Sequence, residues 1–154
     1  LPRANMFHSS STKSMLLPPV IGHRGAKQAA PENTIASLRA AKRLGVSVVE
    51  VDVMLSKDDV LFIHHDNKLD RCTDGKGYLW DHTAVELRNL DAGSHFSENF
   101  AKEPLPLLSE LLLECKALGL GVNLEVKHAT DLGEQVPNEE EKRRERRLAE
   151  VTCG

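Results

Sequence analysis

The stretch VSVVEVDVML, residues 46–55, limits the fold more than any other part of this chain. Successive side chains of a strand point to opposite faces. Val49, Val51, Val53 and Leu55 then share one face, and Val46, Val48, Glu50, Asp52 and Met54 share the other. A surface strand could carry Glu50 and Asp52 at no cost, but it would not be valine at most of its other positions. The stretch reads as covered on both faces, as strands of a parallel sheet are. Burying two neighbouring carboxylates is costly unless positive charge meets them. A divalent cation is the obvious counter-charge.

The flanking segments alternate strand and helix. Val20 and Ile21 make a short apolar strand that stops at Gly22. A helix is expected over 34–44. Pro31 precedes it, Asn33 can cap it and Gly45 can end it, with Ile35, Leu38, Ala41 and Leu44 at helical spacing. After a turn at Lys57, Asp58 and Asp59, VLFIHH (60–65) reads as a strand, with Leu61, Ile63 and His65 on one face and Phe62 and His64 on the other. Residues 109–118 form a leucine-rich helix ended by Gly119. VNLEVK (122–127) repeats the device of the first strand: Val122, Leu124 and Val126 face one way, Asn123, Glu125 and Lys127 the other. Such alternation implies βα units and a parallel sheet. Active sites of these folds gather at the carboxyl ends of the strands. His23, Arg24, Glu50, Asp52, His65, Glu125 and Lys127 fall there.

Composition narrows the function classes. With 154 residues, 40% hydrophobic and 28% charged, the chain is long enough for one soluble domain with a core. No apolar run reaches the length of a membrane span. A net charge of -3 argues against general nucleic-acid binding. Cys72, Cys115 and Cys153 are odd in number and far apart, which argues against a disulfide scaffold or a zinc site and makes the reducing cytoplasm the expected location. Residues 1–19, rich in Ser and Pro and free of acids, read as a disordered leader, with an organelle transit segment as the alternative. Residues 139–150 place Glu139 four before Arg143 and Glu140 four before Arg144, the pattern of a solvated helix rather than a basic patch.

The carboxyl-end residues make a coherent set. Three carboxylates, Glu50, Asp52 and Glu125, suit a hard oxygen-seeking ion such as Mg²⁺ or Ca²⁺. Arg24 and Lys127 supply positive charge for phosphate oxygens. His23 and His65 can titrate near neutral pH as an acid–base pair. Together these read as phosphoryl-transfer chemistry. Other features read as plain structure. His64 points away from His65, and His8, His82, His95 and His128 are expected on the surface. Gly75 and Gly77 mark a turn rather than a phosphate loop, Tyr78 and Trp80 are packing residues, and the leucines of 105–113 are helix core.

The strings IGHRG (21–25), PENT (31–34), VEVDV (49–53), HHDNKLDRCTDGKG (64–77), LPLLSELL (105–112) and NLEVK (123–127) occur in the order seen in glycerophosphodiester phosphodiesterases. The chain resembles the N-terminal part of that family's domain from about residue 20 to residue 127. The resemblance implies a TIM (β/α)8 barrel, a Ca²⁺ or Mg²⁺ cofactor, and hydrolysis of a small glycerophosphodiester to glycerol 3-phosphate and an alcohol. It makes His23 and His65 the acid–base histidines, Arg24 a phosphate ligand, Glu50, Asp52 and Glu125 the metal ligands, and Lys127 a further phosphate-side contact. Residues 66–104 resemble the small insertion that the family carries beside its site, after the His65 strand. Cys72 stands where a threonine is usual and His128 where a proline is common. A complete barrel needs about 250 residues. The expectation is therefore a domain over 20–154 that holds about half a barrel. A catalytically inactive half-barrel fragment, with a binding role or none, is the alternative.

Overall fold

The computed structural model describes residues 18, 20–127, 146–148 and 150. Strand β2 (Val48–Leu55) lies at the centre, and all but its first residue is buried. Its aliphatic face packs under two helices, α1 (Ile35–Arg43) and α3 (Leu108–Leu118), in a cluster that includes Leu38, Ala41, Val49, Val51, Val53, Leu111 and Cys115. Val49, Val51 and Val53 are fully buried, and each contributes about 1.5–3 kcal/mol over an exposed position. The expected two-sided cover of this strand is what the structure has, and so is the split of its residues between faces.

Strand β1 (Gly22–His23) runs parallel to β2, with Gly22 opposite Val49 and His23 opposite Glu50. Strand β4 (Gly121–Val126) runs parallel along residues 48–53 of β2. Strand β3 (Leu61–Ile63) is antiparallel to β2, pairing with residues 53–55. A strand has two edges, so β4 takes one while β1 and β3 share the other, end to end. The sheet is therefore not wholly parallel, as the alternation had implied. The turn at Lys57–Asp59 is short enough for a hairpin, and a parallel return would need a longer crossover. The first strand also sits two residues later than expected. Val20 is 62% exposed, and the paired residues are those that meet β2.

Helix α1 starts one residue later than expected. Thr34, not Asn33, is the cap. Its Oγ1 accepts from the Ser37 N–H, and Ser37 Oγ accepts from the Thr34 N–H. Asn33 instead adopts a left-handed conformation, φ 57°, and turns its amide into the sheet. Helix α3 ends as expected at Gly119, left-handed at φ 64°.

Between β3 and α3, helix α2 (Ala84–Arg88) and irregular segments enclose a second apolar cluster of Met54, Phe62, Leu69, Leu79, Leu87, Ala92 and Leu105. Trp80 packs against it, and Tyr78 stacks on Trp80 with ring centroids 4.8 Å apart. Gly77 is a turn residue at φ 82°. The proposed leader lies outside the described residues except Pro18, as do Cys153, His8 and His128. Most of the charged helix over 139–150 does too, but residues 146–148 are helical and Leu148 is buried in the first cluster. No helix among the described residues is long and apolar enough to cross a membrane.

Candidate active site

The register of the parallel strands builds the site. His23 on β1, Glu50 on β2 and Asn123 on β4 form one row, and Asp52 faces Glu125 in the next. Like charges directly opposite each other destabilise a sheet. Here one oxygen each from Glu50, Asp52 and Glu125 lies within 4.8 Å of the others. Asp52 is fully buried and Glu50 nearly so. Glu50 Oε1 and Asp52 Oδ1 are buried and accept no hydrogen bond from the described residues. Burial holds the Glu50 carboxyl above its ordinary range, and the charges of Asp52 and Glu125 add to this against the opposing Arg24 N–H. Three converging carboxylates, two of them with a buried oxygen that accepts no hydrogen bond from the described residues, fit a hard divalent cation.

Cations surround this trio. Lys127 Nζ donates to Glu125 Oε1 at 2.5 Å and lies 3.4 Å from Asp52 Oδ1. Burial disfavours its charge, but the two carboxylates outweigh that and hold its pKa above the ordinary value. Arg24 Nε is 3.5 Å from Asp52 Oδ2, and Arg24 Nη1 donates to Glu32 at 2.8 Å.

The loop after β1 sets this geometry. Arg24 itself is left-handed, φ 52°, and its backbone N–H donates to Glu50 Oε2 at 3.0 Å. Gly25 follows at φ 78°, and its N–H reaches the Glu50 carbonyl at 3.2 Å. The Arg24 carbonyl accepts from the Asn33 N–H and from Ser37 Oγ, which folds the loop onto the start of α1. Asn33 Nδ2 then donates to Asp52 Oδ2 at 2.8 Å.

The two histidines differ. His23 is half exposed, with Nε2 3.7 Å from Glu50 Oε2. Burial lowers its pKa, and Lys27 and Arg24 lower it further. His65 lies just beyond the end of β3, and its Nδ1 is 2.6 Å from Asp66 Oδ1. His64 is 3% exposed, with Nε2 on the Lys68 carbonyl. Thus His23, Arg24, Glu125 and Lys127 lie at or just beyond the ends of β1 and β4 and His65 just beyond β3, while Glu50 and Asp52 lie within β2. Short polar contacts join Arg24, Glu50, Asp52, Glu125 and Lys127 into one cluster with His23 at its rim, while His65 is tied to Asp66. Sequence reasoning passed over Glu32, Asp66 and Arg71 and gave Asn33 only a capping role. All four lie inside strings already quoted, PENT and HHDNKLDRCTDGKG, but loop residues carry no periodicity that assigns them a direction. His82, expected unpaired, meets the Lys76 carbonyl at 3.0 Å.

A mixed α/β sheet that brings three carboxylates together with a lysine and an arginine defines an α/β protein with the donor set of a divalent-cation site. The profile of the glycerophosphoryl diester phosphodiesterase family matches residues 23–152, and the chain belongs to that family. It is 44% identical over 108 residues to a glycerophosphodiester phosphodiesterase of Caldanaerobacter subterraneus, covering 70% of this chain and 44% of the relative. It is 40% identical over 109 residues to human glycerophosphodiester phosphodiesterase 1, covering 70% of this chain and 33% of the relative. Among solved structures, an Oleispira antarctica phosphodiesterase in complex with the product sn-glycerol-3-phosphate matches at a TM-score of 0.71 and 46% identity, over 72% of this chain and 45% of that one. A glycerophosphodiester phosphodiesterase from Agrobacterium tumefaciens matches at 0.68 and 32%, over 85% and 63%. The likeness places the sheet in a TIM-barrel family. The chain spans less than half the length of the curated relatives it matches.

Proposed function

We propose that this chain is the N-terminal part of a divalent-cation-dependent hydrolase that splits glycerophosphodiesters into glycerol 3-phosphate and an alcohol. The convergence of Glu50, Asp52 and Glu125 carries the reading, in a chain whose relatives are named for that activity. These three carboxylates would hold the Ca²⁺ or Mg²⁺ ion. When bound, it neutralises charge on the phosphate oxygens. Arg24 and Lys127 orient the phosphate from the same side. His23 and His65 move the protons, one taking a proton from the attacking hydroxyl and the other giving one to the departing alkoxide. Burial, with Lys27 and Arg24 nearby, lowers the pKa of His23, which favours the neutral ring that can accept a proton. Residues 66–104, with their own apolar cluster, serve as the family's insertion beside the site. The free, buried Cys72 and Cys115 support a cytoplasmic setting.

The test is release of glycerol 3-phosphate from glycerophosphocholine with Ca²⁺ or Mg²⁺ present. Chelator, Glu50→Ala and His65→Ala should each abolish it. A folded longer protein containing this chain that releases none, or release untouched by those variants, would overturn the reading.

A further inference from the structure

One guanidinium links the two sides of the site. Arg71 Nε donates to Asp66 Oδ2 at 2.6 Å, and Arg71 Nη2 donates to Asp66 Oδ1 at 3.0 Å. The same Nη2 donates to Glu32 Oε1 at 2.8 Å, while Nη1 donates to Glu32 Oε2 at 2.9 Å. Four of the five N–H groups of the fork are thus used on two carboxylates. Each carboxylate holds a second group. Asp66 Oδ1 meets His65 Nδ1, and Glu32 Oε1 accepts from Arg24 Nη1. We propose that Arg71 is a positioning residue, which sets the tautomer of His65 through Asp66 and the place of Arg24 through Glu32.

A neutral imidazole presents one donor and one acceptor, and its partner decides which nitrogen carries the proton. An aspartate is ionised at neutral pH and can only accept, and Arg71 fixes where this one sits by bonding both of its oxygens. His65 must then donate from Nδ1, which leaves the Nε2 lone pair as the site of proton transfer. A lysine here would place one point charge where the fork places four directed bonds. On the other arm, Glu32 meets the Arg24 guanidinium from one side while Asp52 meets it from the other. Arg71 is half exposed, whereas Glu32 is largely covered, so the clamp closes over the site from its outer side.

This role rests on the hydrolase reading only in naming His65 a proton-transfer group, and its test is independent of turnover. The measurement is ring ¹⁵N NMR of His65 in histidine-labelled full chain, as wild type, Arg71→Met and Arg71→Lys. The wild-type neutral ring is expected almost wholly as the Nδ1–H tautomer. Losing a charge-assisted network should shift the tautomer ratio toward Nε2–H by about tenfold or more in Arg71→Met. Arg71→Lys, which keeps the charge and bulk, should shift it less. A His65 ring that stays Nδ1–H in whichever variant keeps the wild-type fold by circular dichroism would overturn the proposal. Wild-type turnover of glycerophosphocholine fails or succeeds separately, so the two readings can fail apart.

Discussion

Asp52 has almost no exposed surface and sits among Asn33, Arg24 and Lys127. Glu32 sits between Arg24 and Arg71. Burial alone would raise the Glu32 pKa, but the hydrogen bonds from Arg71 and Arg24 bring it down from 4.5 to about 2. The folded state therefore favours the ionised form. The stability this adds is fully present above pH 4.5 and is lost as pH falls through about 2. Urea unfolding of wild type and Glu32→Gln should show wild type the more stable near neutral pH, with the gap closing as pH falls across that window. A gap independent of pH would contradict the assignment. At this scale the sequence was informative where a strand imposed direction. Glu50, Asp52 and Glu125 could be placed on one face because alternation is rigid. Glu32, Asp66 and Arg71 sit on loops, and their partnership joins residues 39 positions apart, which no local pattern encodes.

The β1–α1 connection is the element on which the site depends most. A Cβ on Gly25 would lie 2.2 Å from Ser37 Oγ and 2.9 Å from the Ser37 backbone carbon, at φ +78°. Gly45 has a similar φ of +80° with nothing within 4 Å. The pair separates backbone strain from crowding. Gly45→Ala should cost about 1 kcal/mol for the left-handed conformation. Gly25→Ala should cost about 3 kcal/mol because overpacking adds to the strain. Chemical denaturation measures both, and equal costs would show that the close approach to α1 carries no energy. Most of the elements were legible because valines and leucines fall at strand and helix periods. The direction of β3 was not, since alternation says which face a side chain takes but not which way the neighbouring strand runs. The displacement of β1 has a similar origin, because two paired residues give almost no pattern to read.

The whole molecule combines one apolar cluster between sheet and helices with a second under residues 66–104, and the acidic centre lies at the ends of the parallel strands. Barrel membership was legible from ordered motifs, and the family match agrees over residues 23–152. A centre that opposes Asp52 to Glu125 and leaves Glu50 Oε1 and Asp52 Oδ1 buried with no hydrogen bond from the described residues is stabilised by whatever neutralises it. A cation present at a hundred times its Kd should add about 2.7 kcal/mol to folding and raise Tm by several degrees. The most direct test is calorimetric titration of Ca²⁺ or Mg²⁺ into chelator-treated protein, comparing wild type with Glu50→Gln and Glu125→Ala. The account predicts one site per chain that both substitutions abolish or severely weaken. Absence of binding in the folded wild type, or binding unchanged in both variants, would contradict it.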